Sequence, residues 1–204
     1  MLNKEIQKTP LLIVISAPSG TGKTTLCDNL CLNSSSACRA ITCTTRSPRA
    51  DELDGKDYYF LNENEFLARV QNDEFLENAV VHGCHYGVLK SEVLSRLAEG
   101  KDVLLNIDVQ GAASVKKRSK GNLILRSSLL TVFLCPPSLK ELEKRLRGRG
   151  DNSEKDINRR LAIAEKEISQ KFLFDHSIIS STREADLEAM KTVIQTARDS
   201  LNKK

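Results

Sequence analysis

Four short runs of apolar residues recur along the chain and predict buried strands. Each run is four or five residues long, is rich in branched side chains and does not alternate with polar residues. This pattern is typical of strands that are covered on both faces. The runs cover residues 11–15, 103–107, 130–134 and 177–180.

Segments with helical periodicity lie between and after these runs, at residues 24–32, 91–99, 138–146, 156–172 and 185–201. Gly100 follows the second segment and is expected to act as its C-terminal cap. Ser138, with Glu141 three residues later, predicts a capping box at the start of the third. Strands that alternate with helices indicate an α/β fold in which helices flank a parallel sheet.

Two stretches interrupt this alternation and are interpreted as insertions on the core. Residues 42–86 are polar, with arginines, tyrosines, acidic residues and short strand-like pieces. Residues 145–160 are dense in arginine and other charged residues.

Composition excludes several classes of protein. The 204 residues are 40% hydrophobic and 28% charged, with a net charge of +4, as expected for a globular protein of one sizeable core. Aromatic residues are few and tryptophan is absent, so platforms for stacking nucleic-acid bases are not expected. No apolar run approaches the length of a membrane span, so no membrane association is expected.

The N-terminus and the cysteines suggest a cytoplasmic location. Residues 1–10 are polar and charged, unlike a signal peptide. The six cysteines form no C-x-x-C pair and no zinc-ligand spacing with histidine, so we interpret them as reduced, mostly buried thiols. The three histidines are interpreted as surface or packing residues.

The first apolar run leads into a turn that is typical of a phosphate-binding P-loop. Two glycines let backbone N–H groups approach a phosphate, and the following helix directs its N-terminus at the same anion. Lys23 would reach the outer phosphates of a nucleoside triphosphate, and the Thr24 hydroxyl would bind Mg²⁺. Ala17 replaces the first glycine of the usual pattern, and an ordinary strand–turn–helix is the alternative. The predicted triphosphate-binding residues are Ala17, Pro18, Ser19, Gly20, Thr21, Gly22, Lys23, Thr24 and Thr25.

A second cluster of polar residues predicts a phosphate site in the first insertion. Arg46 and Arg49 are three residues apart, on either side of Pro48, and their planar guanidinium groups suit bidentate phosphate binding. Tyr58 and Tyr86 add hydroxyl donors. A solvated basic loop is the alternative for the arginines, and packing is the alternative for the tyrosines.

These and other motifs resemble guanylate kinases over nearly the whole chain and in the same order. They are Thr44-Thr45-Arg46-Ser47-Pro48-Arg49, Asp54-Gly55-Lys56-Asp57-Tyr58-Tyr59-Phe60, Glu74-Phe75-Leu76-Glu77, Tyr86-Gly87, Asn106-Ile107-Asp108-Val109-Gln110-Gly111 and Arg145-Leu146-Arg147-Gly148-Arg149-Gly150. By this resemblance the chain is identified as a member of that family, of the bacterial type. Such members also carry alanine at the first P-loop position.

The resemblance implies a P-loop nucleoside monophosphate kinase that transfers the γ-phosphoryl group of ATP to GMP or dGMP with Mg²⁺. The core would comprise 1–40, 91–138 and 166–204, with a GMP-binding insertion at 41–90 and a helical lid at 139–165. The implied GMP-binding residues are Thr42, Arg46, Arg49, Tyr58, Glu77, Tyr86 and Asp108. The implied catalytic residues are Lys23, Arg46, Arg145, Arg149 and Arg160. Glu77 would accept the two adjacent donors on the edge of guanine, which adenine does not offer.

The chain departs from the family's pattern at a few positions. Asn106 replaces an aspartate near the metal and phosphates, and Val88 replaces a hydroxyl residue that reaches the guanine. Ser180-Ser181 replaces an Asn-Asp pair near the adenine, and Asp151-Asn152-Ser153 replaces the common Thr-Glu-Thr of the lid. We expect an active enzyme with weaker guanine selectivity. A catalytically inert binding module of the same fold, or a kinase for another acceptor, is the alternative, and the intact P-loop argues against the inert module.

Overall fold

The computed structural model describes residues 9–148 and 153–201. Its elements in chain order are β1 (Leu12–Ser16), α1 (Lys23–Leu32), β2 (Ala37–Arg39), β3 (Thr42–Thr44), β4 (Tyr58–Phe60), α2 (Glu63–Gln71), β5 (Phe75–Val81), β6 (Cys84–Leu89), α3 (Lys90–Ala98), β7 (Asp102–Asn106), α4 (Val109–Ser119), α5 (Leu123–Ser128), β8 (Leu129–Cys135), α6 (Leu139–Arg147), α7 (Glu154–Ser169), a 3-10 turn (Lys171–Leu173), β9 (His176–Ile179) and α8 (Arg183–Leu201). None of the helices in this part of the chain is long and apolar enough to cross a membrane.

The core is a parallel sheet with strand order β2-β7-β1-β8-β9. β1 lies at its centre, and all five of its residues are buried because helices cover both faces. The four predicted strands are confirmed as β1, β7, β8 and β9. β2 was not predicted, because three residues that are only partly buried leave no recognisable pattern.

Helices pack on both faces of this sheet, and successive side chains of β1 contact one face's helices and then the other's. Leu11, Ile13 and Ile15 face α1 and α8, whereas Leu12 and Val14 face α3, α4 and α5. The predicted parallel α/β core flanked by helices is therefore confirmed. α4 and α5 were not predicted, although Asp108 and Asn122 cap them by accepting hydrogen bonds from backbone N–H groups.

A second sheet, with order β4-β3-β6-β5, is built from the polar stretch that interrupts the alternation. Its β3–β4 pair is parallel, while β6 runs antiparallel to β3 and β5. α2 covers one face through Phe66, whose ring stacks on Phe75 at 4.4 Å between centroids. Asn62 and Glu65 form a capping box at the start of α2. The opposite face of the sheet is left to form the site.

The two helices of the arginine-rich stretch pack on each other through Leu142, Leu146 and Ala164. Ser138 caps α6 as predicted, but the Glu141 carboxylate pairs with Arg145 rather than completing a capping box. The helix predicted to end at residue 172 ends at Ser169, where the chain tightens into the 3-10 turn. Gly100 adopts φ of 77° directly after α3, as expected of a C-terminal cap.

Candidate active site

The turn after β1 has the backbone geometry of an anion-binding loop. Gly20 and Gly22 adopt φ of 94° and 115°, a region that other residues rarely enter. Gly22 is the N-cap of α1, and no side chain caps the free N–H groups of the first turn. These groups therefore remain available to an anion, and the helix dipole favours negative charge at the same place. Ala17 is buried and packs in the core, so its methyl group does not obstruct the loop.

Lys23 and Thr24 begin α1 and meet the end of β7. Lys23 Nζ donates to the Ile107 carbonyl at 2.8 Å, and the Asn106 amide donates to Thr24 Oγ1 at 3.2 Å. Burial lowers the pKa of Lys23, although the charges of Glu167 and Asp108 act in the opposite direction. The P-loop, Lys23, Thr24, Asp108 and Glu167 line a cavity of about 320 Å³.

A second cavity of about 370 Å³ lies on the other side of the P-loop, against the segment after β9. Ser180 donates to Asp186 Oδ2 at 2.8 Å, and the Ser181 N–H donates to Asp186 Oδ1 at 2.7 Å. Asp186, in the first turn of α8, thereby fixes the loop that forms one wall. Asn29 of α1 also lines this cavity.

Two arginines of α6 and α7 reach the P-loop. Arg145 Nη1 donates to the Thr21 carbonyl at 3.1 Å and to Ser180 Oγ at 3.3 Å. Arg160 Nη1 donates to Ser19 Oγ at 3.1 Å. Two of the three predicted lid arginines thus lie at the phosphate loop. Arg149 lies outside the described residues.

Arg46 lies on the small sheet beside two tyrosines. Its Nη2 donates to both oxygens of Glu52, at 2.7 and 2.9 Å, and its guanidinium lies 5.4 Å from the Tyr58 ring centroid. The Tyr58 and Tyr86 rings are 6.2 Å apart. Arg46, Tyr58 and Tyr86 are therefore brought together as predicted, while Glu52, for which the sequence offers no signal, is their acidic partner.

The exposed loop after Arg46 carries Arg49. The Arg49 N–H donates to Glu52 Oε2 at 2.8 Å, so one carboxylate binds both Arg46 and the loop that carries Arg49. Thr42 is opposite Tyr58 in the β3–β4 pair and lies on the same face of the sheet.

Glu77 on β5 is the buried carboxylate of this face. It is only 6% exposed and lies opposite Val88, which is also buried and offers no hydrogen bond. Burial, reinforced by the negative charge of Asp108, raises the pKa of Glu77 to about 7, although Arg118 opposes the shift. A ligand that donates hydrogen bonds to a carboxylate in such an apolar environment therefore stabilises its ionised form strongly.

Asp108 connects the two halves of the site. It follows β7 and caps α4, where its Oδ1 accepts from the Gly111 N–H at 2.7 Å. Its charge acts on Lys23 and Glu167 beside the P-loop and on Glu77 in the small sheet. Asp108 thus lines the P-loop cavity and also lies close enough to Glu77 to act on its pKa.

Besides Glu52, two further acidic residues that line the site had not been predicted. Glu167, near the end of α7, faces Lys23, and burial raises its pKa while Lys23 opposes the shift. Asp186 fixes the loop after β9. Neither belongs to a motif, so only the packing of helices from distant parts of the chain could reveal them. His85 packs on Phe66 at 5.1 Å between ring centroids, as expected of a packing residue.

The parallel sheet flanked by helices and the glycine-bearing turn after β1 define a P-loop kinase of the nucleoside monophosphate type. The guanylate kinase family model matches residues 9–197. The chain therefore belongs to the guanylate kinase family.

Relatives and a solved structure agree with this assignment. The guanylate kinase of Thermotoga maritima is 41% identical over 92% of this chain and 87% of its own length. That of Hydrogenovibrio crunogenus is 43% identical over 94% of this chain and 90% of its own. The crystal structure of guanylate kinase from Anaplasma phagocytophilum, 28% identical, superposes with a TM-score of 0.66 over 94% of this chain and 87% of that one.

Proposed function

We propose that this chain is an ATP:GMP phosphotransferase that also accepts dGMP and forms ADP and GDP or dGDP. The observation that supports it most is the position of Asp108, which lines the P-loop cavity with Lys23 while its charge also acts on the buried Glu77 of the small sheet. A donor phosphate at the P-loop and an acceptor base at Glu77 would thus occupy neighbouring parts of one cleft. Phosphoryl transfer requires little beyond such positioning and the neutralisation of charge.

The donor half would hold ATP around the P-loop. The backbone N–H groups at the start of α1 would bind the phosphates. Lys23 would release the Ile107 carbonyl and donate instead to the outer phosphate oxygens. The nucleoside would occupy the cavity between α1 and the loop that Asp186 fixes.

The residues beside Lys23 fit a magnesium ion that arrives with the nucleotide. Thr24 and Asn106, already in contact at 3.2 Å, offer a hydroxyl and an amide oxygen as ligands. Within residues 9–148 and 153–201, no group of three or more His, Cys, Asp or Glu is arranged to hold a metal. Most ligands would therefore be phosphate oxygens and water, which Mg²⁺ favours. When bound, Mg²⁺ neutralises charge on the β- and γ-phosphates.

The acceptor half would hold GMP on the small sheet. Arg46, Arg49, Tyr58 and Tyr86 would bind its phosphate, and Arg46 has enough N–H donors to serve the phosphate and Glu52 together. Glu77 would accept the guanine N1–H and amine. A buried carboxylate that needs these donors discriminates against bases that lack them by as much as roughly 10⁴-fold.

The lid arginines would stabilise the phosphoryl group during transfer. Arg145 and Arg160 already contact the P-loop backbone and Ser19, so small movements of α6 and α7 bring their charge to the γ-phosphate. Charge that is positioned in advance lowers the barrier without reorganisation of solvent.

The proposal is tested by ADP formation from ATP and Mg²⁺ with GMP, dGMP, AMP or dTMP as acceptor. We expect rapid turnover with GMP and dGMP and little ATP hydrolysis when no acceptor is present. Equal turnover of AMP or dTMP would refute the role of Glu77, and a fast acceptor-independent ATPase would refute the proposed function.

Replacing Lys23 by alanine tests the donor half directly. We expect Lys23→Ala to reduce kcat with GMP by at least about 10²-fold, because it removes the charge that faces the outer phosphates. The variant should unfold at the same urea concentration as the wild type or a higher one, since Lys23 is a charge that burial opposes. Lys191→Ala, on an exposed face of α8, serves as control and should keep full activity.

A further inference from the structure

One buried carboxylate outside the cleft lies where the two sheets join. Glu92 belongs to the first turn of α3 and is 9% exposed. Its Oε1 accepts from the Ile41 N–H at 3.3 Å and from Arg96 Nε at 3.2 Å, and its Oε2 accepts from the Tyr59 hydroxyl at 3.0 Å. Both of its oxygens are therefore bonded, and the donors come from three different segments of the chain.

Glu92 and its donor Ile41 lie at the two connections between the sheets. The Ala40 N–H still donates to Leu104 of the core strand β7, whereas Thr42 already belongs to β3 of the small sheet. Ile41 is thus the single residue of the first connection. The second connection lies where β6 ends at Leu89 and α3 begins, three residues before Glu92.

Tyr59 extends this contact into the body of the small sheet. It lies on β4 between Tyr58 and Phe60, and because side chains alternate along a strand it points away from the cleft. Its ring packs with Cys43, Phe66 and Phe75 in the core of the small sheet. Burial and the bond to Glu92 raise the pKa of Tyr59, so the hydroxyl remains a donor at neutral pH.

We propose that Glu92 is a positioning residue for phosphoryl transfer, which sets the angle at which the small sheet meets the core and hence the approach of the two substrates. The inference rests on the proposed function, since it assumes that the P-loop holds the donor and the small sheet the acceptor. Glu92 touches neither substrate. It fixes Ile41 and Tyr59, and through them the sheet that carries Arg46, Tyr58 and Glu77.

Loss of Glu92 is expected to affect the rate of transfer but not the binding of either substrate. Each substrate alone binds mainly to groups on one side of the junction, so losing Glu92 leaves each separate affinity nearly unchanged. The two substrates must still meet in line, and a misplacement of about 1 Å reduces the rate by roughly 10²-fold. Loss of Glu92 therefore acts on kcat rather than on binding.

The test compares Glu92→Ala, Glu92→Gln and Tyr59→Phe with wild type. Calorimetric titration with ATP alone and with GMP alone gives each Kd and the fraction of competent sites, and kcat is expressed per competent site. We expect Glu92→Ala to lower kcat at least about tenfold, with each Kd within about twofold of wild type. Tyr59→Phe should show a smaller loss, and Glu92→Gln, which keeps an acceptor for Ile41 and a partner for Tyr59, should restore most of the rate.

Glu188→Gln is the control, because Glu188 is an exposed carboxylate of α8, remote from α3, and pairs at the surface with Lys191. It should keep the wild-type kcat. An unchanged kcat per competent site in Glu92→Ala and Tyr59→Phe would overturn the inference and assign Glu92 a purely structural role. If Glu92→Ala fails to fold, Tyr59→Phe alone decides, since it removes only one hydroxyl. A wild-type protein without GMP-dependent turnover would instead refute the proposed function.

Discussion

Burial divides the charged residues of the site into two kinds. Lys23, Glu77 and Glu167 lie where desolvation shifts the pKa toward the neutral form, whereas Arg46 is half-buried in an ion pair and Arg49 is exposed. The buried groups would gain most from a ligand that supplies the opposite charge or the missing hydrogen bonds. The half-buried Arg46 and the exposed Arg49 suit a phosphate that remains partly in water.

The raised pKa of Glu77 predicts that use of GMP depends on pH. Its pKa of about 7 means that the carboxylate is mostly protonated in the free protein at pH 6 and mostly ionised at pH 8. Because only the ionised form accepts both guanine donors, we expect the GMP KM to rise roughly tenfold from pH 8 to pH 6. Glu77→Gln should remove this dependence while leaving the ATP KM unchanged. If the GMP KM of the wild type changes no more between pH 8 and pH 6 than that of Glu77→Gln, the prediction is wrong.

The same shift predicts the effect of Glu77 on stability. Between the ordinary pKa of 4.5 and about 7, the folded state holds a proton that the unfolded state has lost, so stability falls as pH rises through this window. Glu77→Gln should therefore be more stable than wild type at pH 8, by about 3 kcal/mol. The advantage should shrink toward pH 4.5. Urea unfolding at both pH values measures it, and a constant difference would contradict the assigned pKa.

Among the secondary-structure elements, β5, which carries Glu77, leaves no room for a side chain at Gly87 of β6. A Cβ atom at Gly87 of β6 would lie 2.7 Å from the Phe75 ring and 2.9 Å from the Glu77 carbonyl. Glycine is thus required at this position because there is no room for a side chain, and not because the backbone adopts an unusual conformation. The close approach helps to fix where Glu77 lies in the cleft.

We expect Gly87→Ala to destabilise the protein by about 1 to 3 kcal/mol, because β5 must move away from the new methyl group. Since β5 carries Glu77, the GMP KM should rise as well. Gly121→Ala is the control: its Cβ would meet only the Arg118 carbonyl at 3.8 Å, so stability should change by less than about 0.5 kcal/mol. Equal urea midpoints for the two variants would show that β5 and β6 accommodate the methyl group.

A helix or strand could be predicted from the sequence when the residues that indicate it are close together in the chain. The strand, turn and helix of the P-loop were predicted because the apolar run, the two glycines and Lys23 all lie within residues 11–25. α4 was missed, since Gly111 interrupts its pattern and Lys116, Lys117 and Arg118 dilute its apolar face. α2 was missed although its capping box, Asn62 with Glu65, is a sequence signal for a helix start.

Across the whole molecule, one buried ion pair joins the beginning of the chain to its last helix. Asp102, at the start of β7, pairs with Arg198 of α8, and its Oδ1 accepts from the Leu11 N–H at 3.0 Å. Arg198 also donates to the Thr9 carbonyl at 3.4 Å. The central strand, its neighbour and α8 are therefore held together below the sheet, at the end opposite the P-loop.

Asp102→Asn should destabilise the whole protein, because it leaves the Arg198 charge buried without its partner. Breaking such a pair reduces stability by about 3 to 5 kcal/mol. Glu188→Gln, which removes an exposed partner of Lys191, should have an effect below about 1 kcal/mol. Urea unfolding followed by circular dichroism distinguishes them. Similar midpoints for the two variants would mean that the buried pair contributes no more than a surface pair.

The parallel α/β core, the P-loop turn and the family followed from the sequence alone, because these depend on contiguous residues whose periodicity and spacing have a direct physical meaning. The motifs also predicted Arg46, Tyr58, Tyr86 and Glu77 as site residues. The folded chain was needed to show that Glu52 binds Arg46, that Glu167 and Asp108 line the cavity beside Lys23, and that Glu92 joins the two sheets. Those contacts depend on how helices and strands from separate parts of the chain pack, and no local pattern of residues encodes that packing.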